Sequence, residues 1–216
     1  MTSAPAPWLA RPVARRVALW AAGGLAGCWL AGAAVSRLPT TPGIGLDAAA
    51  RAVLQPLSAV APIDAVAQFL AVIGEQPVSI VVAVGVAVAM VVRWGLPAGV
   101  AFGLASALSA GHVILMKSLV QRPGPVTAFF EGLGSFPSGH TANAAVLATL
   151  GGLLLRRRWA WAAGGAYVAL VAGSRVVVGA HWFTDTVVGA VAGASVALLV
   201  WSGWSLVRGR GTDPDA

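Results

Sequence analysis

A chain of 216 residues that is 58% hydrophobic and only 10% charged, with a mean hydropathy of +0.82, is no ordinary soluble domain; its solvent is a bilayer. The net charge of +7 does not mark a nucleic-acid binder, because the basic residues stand mainly at the edges of apolar runs, where they read chiefly as topology anchors. The one cysteine, Cys28, excludes an intrachain disulfide and a cysteine metal cluster and reads as a packing residue.

The first apolar run, residues 17–35, follows Arg11, Arg15 and Arg16 and ends near the small-residue string Ala31-Gly32-Ala33-Ala34, a combination that imitates a secretory signal. Its roughly 19 residues exceed the ~7 to 15 of a signal core, so a retained span is predicted. Residues 47–74 are apolar enough to suggest another span, but they carry Gln55, Pro56, Pro62, Asp64 and Gln68. A central Asp costs about 2.5 to 3.5 kcal/mol on insertion scales, so short interfacial helices on the outer surface are predicted instead. Further spans are expected at 78–94, 97–120, 140–155, 159–178 and 182–207, each near the ~20 residues that a hydrocarbon core demands.

With six spans and both termini in the cytoplasm, Arg11, Arg15 and Arg16, then Arg93, then Arg156 to Arg158, then Arg208 and Arg210 all fall on one side, as basic flanks should. The expected fold class is therefore all-α: a polytopic membrane helical bundle of six transmembrane helices, with short interfacial helices between the first and second spans. It forms a single domain over residues 1–216, and residues 209–216 form a short polar tail.

In this topology Lys117, Arg122 and Arg175 fall on the outer side, where orientation gives no reason for them. Snorkelling at a helix end explains any one alone, but three at one depth beside His140 and His181 point to an anion site. A phosphate monoester brings up to two charges and three oxygens, which call for several fixed donors and little competing carboxylate. Of the seven acidic residues only Asp185 and Glu131 lie near this cluster, a scarcity that argues for chemistry with no metal and no cofactor. Glu131 reads as a solvated charge.

His181 and Asp185, four apart, share one face of a helix. A carboxylate accepting from one imidazole N–H fixes the tautomer and frees the other nitrogen to attack phosphorus, giving a phosphohistidine. Pro137-Ser138-Gly139 precedes His140 where a helix begins, so Ser138 and the Gly139 N–H can bind phosphate oxygens, with Ser138 also a candidate helix cap. His140 is the candidate general acid. His112 is read as a histidine packed and satisfied inside the bundle, and Trp182 and Phe183 as interfacial anchors.

These residues resemble the three-part signature of the type 2 phosphatidic acid phosphatase family over roughly 97–207. The second motif, Pro-Ser-Gly-His, is met by Pro137 to His140. The third, Ser-Arg, five residues, His, three residues, Asp, is met by Ser174, Arg175, His181 and Asp185. The first, Lys, six residues, Arg-Pro, begins at Lys117 but reaches Gly124 and Pro125, while an Arg-Pro pair stands two residues early as Arg122-Pro123. Either Arg122 takes over phosphate binding, or the site works with one fewer cation.

The resemblance implies an integral protein of a bacterial cytoplasmic membrane whose partners are the bilayer and a lipid phosphate substrate, with the site facing outward. Phosphatidic acid, phosphatidylglycerol phosphate and polyprenyl diphosphates, the last recycling a cell-wall carrier such as undecaprenyl diphosphate, are the implied substrates, and a polyprenyl diphosphate is favoured. Soluble vanadate haloperoxidases share the site, but a chain of six spans is remote from them. The rival from another class is a catalytically silent lipid-phosphate binding or transport protein, motivated by Gly124.

Overall fold

The computed structural model describes residues 8–37, 45–125 and 133–208. Glu131, Arg210 and the tail 209–216 lie outside the described residues. All regular structure among the described residues is helical: α1 (Arg11–Val35), α2 (Gly45–Leu54), a 3-10 turn (Gln55–Ala59), α3 (Ala61–Gly74), α4 (Val78–Trp94), α5 (Leu96–Val120), α6 (Gly139–Leu155), α7 (Arg158–Val177) and α8 (Phe183–Arg208). Prolines open α1, α3 and α5, where a missing N–H costs nothing. Gly95, at φ 88°, turns the chain from α4 into α5 through a conformation that a side chain would disfavour.

Helices α4 to α8 each begin and end within one residue of a predicted span, while α1 starts six residues earlier than expected, at Arg11 rather than Val17. Four helices, α1, α5, α7 and α8, are long and apolar enough to cross a membrane. α4 and α6 are shorter, at 17 residues each, or about 25 Å of rise. The segment expected to be interfacial does not run straight: α2 with its 3-10 turn meets α3 at 107°.

α8 is the axis of the bundle and packs on α1, α5 and α6. One core cluster joins Met90, Phe102, Val146, Leu150 and Trp201 of α4, α5, α6 and α8; a second joins Cys28, Met116, Phe136 and Ala192. Gly189 and Gly193, four apart on α8, let its backbone lie against Ser138, the residue just before α6, and Ala142 of α6; a Cβ on either would fall on a backbone carbonyl oxygen there. This close approach, typical of small residues at membrane helix interfaces, sets the start of α8 beside the start of α6.

The basic clusters gather at the far end. A cavity of about 420 Å3 is lined by Trp8, Leu9 and the turn Arg156 to Arg158, and the Arg208 guanidinium lies 5.7 Å from the Trp8 ring centre.

Candidate active site

Three helix starts and ends meet opposite that basic end. Lys117 closes α5, His140 opens α6, Arg175 closes α7, and His181 lies in the turn before α8. All four, with Gly139, line one cavity of about 670 Å3. The predicted convergence is thus present in the structure, contributed by stretches up to 64 residues apart, from 117 to 181.

The donors are anchored through the backbone. Lys117 Nζ donates to the carbonyls of Gly134 (2.7 Å) and Ser135 (3.3 Å), which ties the cation to the loop that leads into Pro137-Ser138. Arg175 is 2% exposed; its Nε donates to Ser174 Oγ (3.3 Å) and its Nη2 to the Ala67 carbonyl (2.9 Å). His140 Nε2 lies 3.0 Å from the Ala71 carbonyl. A carbonyl only accepts, so this nitrogen carries a proton. Ala67 and Ala71 are one turn apart on α3, and Gly74 lies so close to His140 that a Cβ there would overlap the imidazole. α3 thus covers the cavity with two carbonyls aimed at its donors.

His181 is buried, and its Nδ1 lies 3.5 Å from Asp185 Oδ2. Burial pushes this imidazole below its ordinary value, against the opposing pull of Asp185. It is therefore a neutral base near pH 7. Asp185, fully buried, also accepts from the Trp182 N–H (3.2 Å).

Two expected phosphate ligands are placed elsewhere. Arg122 does not line the cavity. Its Nη1 donates to Asp185 Oδ1 and to Thr184 Oγ1 (2.8 Å), and its Nη2 to Asp47 Oδ2 (2.6 Å), so the guanidinium is occupied by two carboxylates. Ser138 is fully buried and does not line the cavity; its Oγ accepts from Thr141 Oγ1 (3.2 Å) and caps no N–H of α6.

Three further readings are corrected. Trp182 is no interfacial anchor: it is 3% exposed, donates from Nε1 to the Pro123 carbonyl (2.9 Å), and lies beneath the guanidinium of Arg122, 5.5 Å from the ring centre. His112 is packed edge-on against Trp29 at 5.7 Å, but neither ring nitrogen has a hydrogen-bond partner among the described residues. Acidic groups near the site include Asp47 and Glu75, which the sequence reading passed over; Asp47 is fully buried on Arg122, and Glu75 lines the cavity with Gln68, Gln76 and Asn143. Asn143 had a legible signal, since it lies three residues after His140 on the same helix face. Asp47 had none.

A second cavity, about 390 Å3 and largely apolar, shares Gly74, Gln76, Ser79, His140 and Asn143 with the first and continues along Ile73, Val82, Val86, Phe102, Leu147 and Val171.

Residues 94–207 match the family model described as the PAP2 superfamily. No curated protein sequence matches the chain. Among solved structures, it is similar to the crystal structure of a transmembrane PAP2-type phosphatidylglycerolphosphate phosphatase from Bacillus subtilis, with a TM-score of 0.54 and 20% sequence identity over 96% of this chain and 100% of that one. That likeness is one of fold. Together with its long apolar helices it makes this an integral membrane protein. The family match spans more than half the chain and contains every motif residue that converges on the cavity, and the chain belongs to the PAP2 superfamily.

Proposed function

We propose that the chain is a lipid phosphate or diphosphate phosphatase that works without a metal through a phosphohistidine. The single observation that carries this reading is the meeting of the cationic cavity with the apolar one at His140: a phosphoryl headgroup fits the first and the start of a lipid chain fits the second. Lys117, Arg175 and the Gly139 N–H hold the phosphoryl oxygens. His181 Nε2 forms a bond to phosphorus as the bond from phosphorus to the leaving oxygen breaks, and His140, entering the step as the imidazolium, gives one of its two ring protons to that oxygen and becomes neutral. Water then attacks the phosphohistidine, losing a proton to His140, and His181 returns as the neutral imidazole. Metal independence is supported by the nearby carboxylates Asp47 and Asp185, both committed to Arg122.

The reading includes six spans, with α4 and α6 crossing beside longer neighbours, α2 and α3 lying at the outer interface and both termini in the cytoplasm. It is supported by the basic clusters gathered at the end away from the cavity. Phosphatidylglycerol phosphate, the substrate named for the Bacillus subtilis neighbour, joins phosphatidic acid and a polyprenyl diphosphate as the substrates to compare.

Phosphate release by the purified protein is measured over these three lipids with EDTA present. Release from at least one, abolished in His181→Ala, is the expected result. Binding of a lipid phosphate without turnover of any would establish instead the silent binding protein, a reading favoured by the cavity wall's having two strong cations, Lys117 and Arg175, among the described residues.

A further inference from the structure

Arg122 is the residue whose place in the structure departs furthest from a phosphate ligand, and Asp47 is the buried charge that the phosphatase mechanism leaves unexplained. They form one closed network. Asp47, from α2, accepts from Arg122 Nη2 (2.6 Å) and Thr184 Oγ1 (3.0 Å) through Oδ2, and from the Thr184 N–H (2.8 Å) through Oδ1. Thr184 Oγ1 in turn accepts from Arg122 Nη1 (2.8 Å), and that same Nη1 donates to Asp185 Oδ1. Asp47 therefore satisfies a free N–H in the first turn of α8 from a helix 137 residues away in sequence, and holds the guanidinium that grips Asp185. Through Oδ2, Asp185 accepts from the Trp182 N–H at 3.2 Å and faces His181 Nδ1 at 3.5 Å.

We propose that Arg122 and Asp47 are positioning residues of the His181–Asp185 pair and not phosphate ligands: Asp47 fixes Arg122, Arg122 fixes Asp185 Oδ1, and the carboxylate so held presents Oδ2 to the attacking imidazole. This rests on His181 being the nucleophile, as proposed above. The arrangement also sets the local charge. Arg122 lies between two carboxylates, so removing either sign unbalances the charge seen by His181, which is otherwise faced by Asp185 of α8, Lys117 of α5, Arg175 of α7, His140 of α6 and, beyond Arg175, Glu75 at the end of α3.

The consequences have opposite signs. Arg122→Gln leaves two carboxylates uncompensated, so a proton is taken up more readily by the imidazole or by the carboxylate pair, and the acid limb of activity moves to higher pH. Asp47→Asn, isosteric and still able to accept from the Thr184 N–H, makes the network one unit more positive, with Arg122 facing one carboxylate instead of two; protonating His181 becomes harder and the limb moves to lower pH. The double variant brings the limb back toward that of wild type. Both single variants lower kcat by about ten- to a hundredfold, by analogy with the loss when a partner that orients a metal-ligating histidine is removed, with KM little changed.

The test measures two quantities across pH for wild type, the two single variants and the double: lipid-phosphate turnover, and the affinity for orthovanadate, an oxyanion that accepts an in-line nitrogen ligand and so reports on His181 without turnover. Opposite shifts of the single variants in either quantity, cancelled in the double, are the expected outcome. Shifts in vanadate binding with no turnover by wild type would retire the phosphatase reading and keep the network. Parallel pH profiles in all four proteins, or an Arg122→Gln whose whole defect is a raised KM, would overturn the proposal and return Arg122 to the phosphate. A wild type that neither turns over lipid nor binds vanadate would overturn both.

Discussion

As the proposed nucleophile, His181 combines the two properties a phosphoryl-accepting imidazole needs: burial favours its neutral form, and it faces a carboxylate that would stabilise the charge acquired on attack. A group whose value is pushed below 6.5 stays a free base down to that lowered value. The acid limb of kcat/KM, which reports the free enzyme, is accordingly expected below pH 6.5, where an exposed imidazole would already be half protonated. His140 differs in its role and in its signature. If it protonates the leaving oxygen, His140→Gln should lose about 10^2- to 10^4-fold in kcat on a lipid alkyl phosphate, and far less on p-nitrophenyl phosphate, whose leaving group needs no proton. Equal losses on both substrates would remove His140 from the proton transfer.

At the level of helices, two glycine contacts place the candidate catalytic groups, and they fail in different ways. Gly193 lets α8 touch α6 at Ala142, backbone to backbone, where neither partner can give way. Gly193→Ala should cost about 1 to 3 kcal/mol, the range for overpacking a tight interface, read as a lowered Tm in detergent. Gly74 faces a side chain, the imidazole of His140. Gly74→Ala is therefore expected to leave Tm nearly unchanged while lowering kcat, because the new methyl displaces the ring proposed to deliver the proton. The same α3 that carries Gly74 supplies the Ala67 and Ala71 carbonyls, so a cover helix predicted only as an interfacial segment is part of the site wall.

Across the whole molecule, charge is segregated: the arginines at the two termini and in the α6–α7 turn lie at one end, and the cavity lies at the other. In the proposed topology, positive flanks stay in the cytoplasm and the cavity faces outward. Gln68→Cys, exposed on α3, should then react with an impermeant maleimide on intact cells, and Arg157→Cys only after permeabilisation. Cys28, 2% exposed, gives little background. Labelling of both positions from the same side would break the topology.

Much of this protein could be read along the chain. Helix positions follow from runs of apolar residues, a local property, which is why the ends of α4 to α8 were legible to within a residue. The convergence of Lys117, His140, Arg175 and His181 was legible too, since each stands at the end of a run and four ends at one depth must meet. What each polar group touches is not a local property. Asp47 reaches Arg122 across 75 residues and Thr184 across 137, from a segment whose sequence suggests only that it lies on a surface. A buried charge settles on whichever opposite charges the fold brings within hydrogen-bond distance, because the cost of leaving it unpaired out of water exceeds any preference written in its neighbours. Tertiary structure therefore decided that Arg122 holds Asp185, that Ser138 is turned inward and that Trp182 lies beneath a guanidinium, whereas the sequence alone determined the helices, their order and the end of the bundle at which the chemistry is placed.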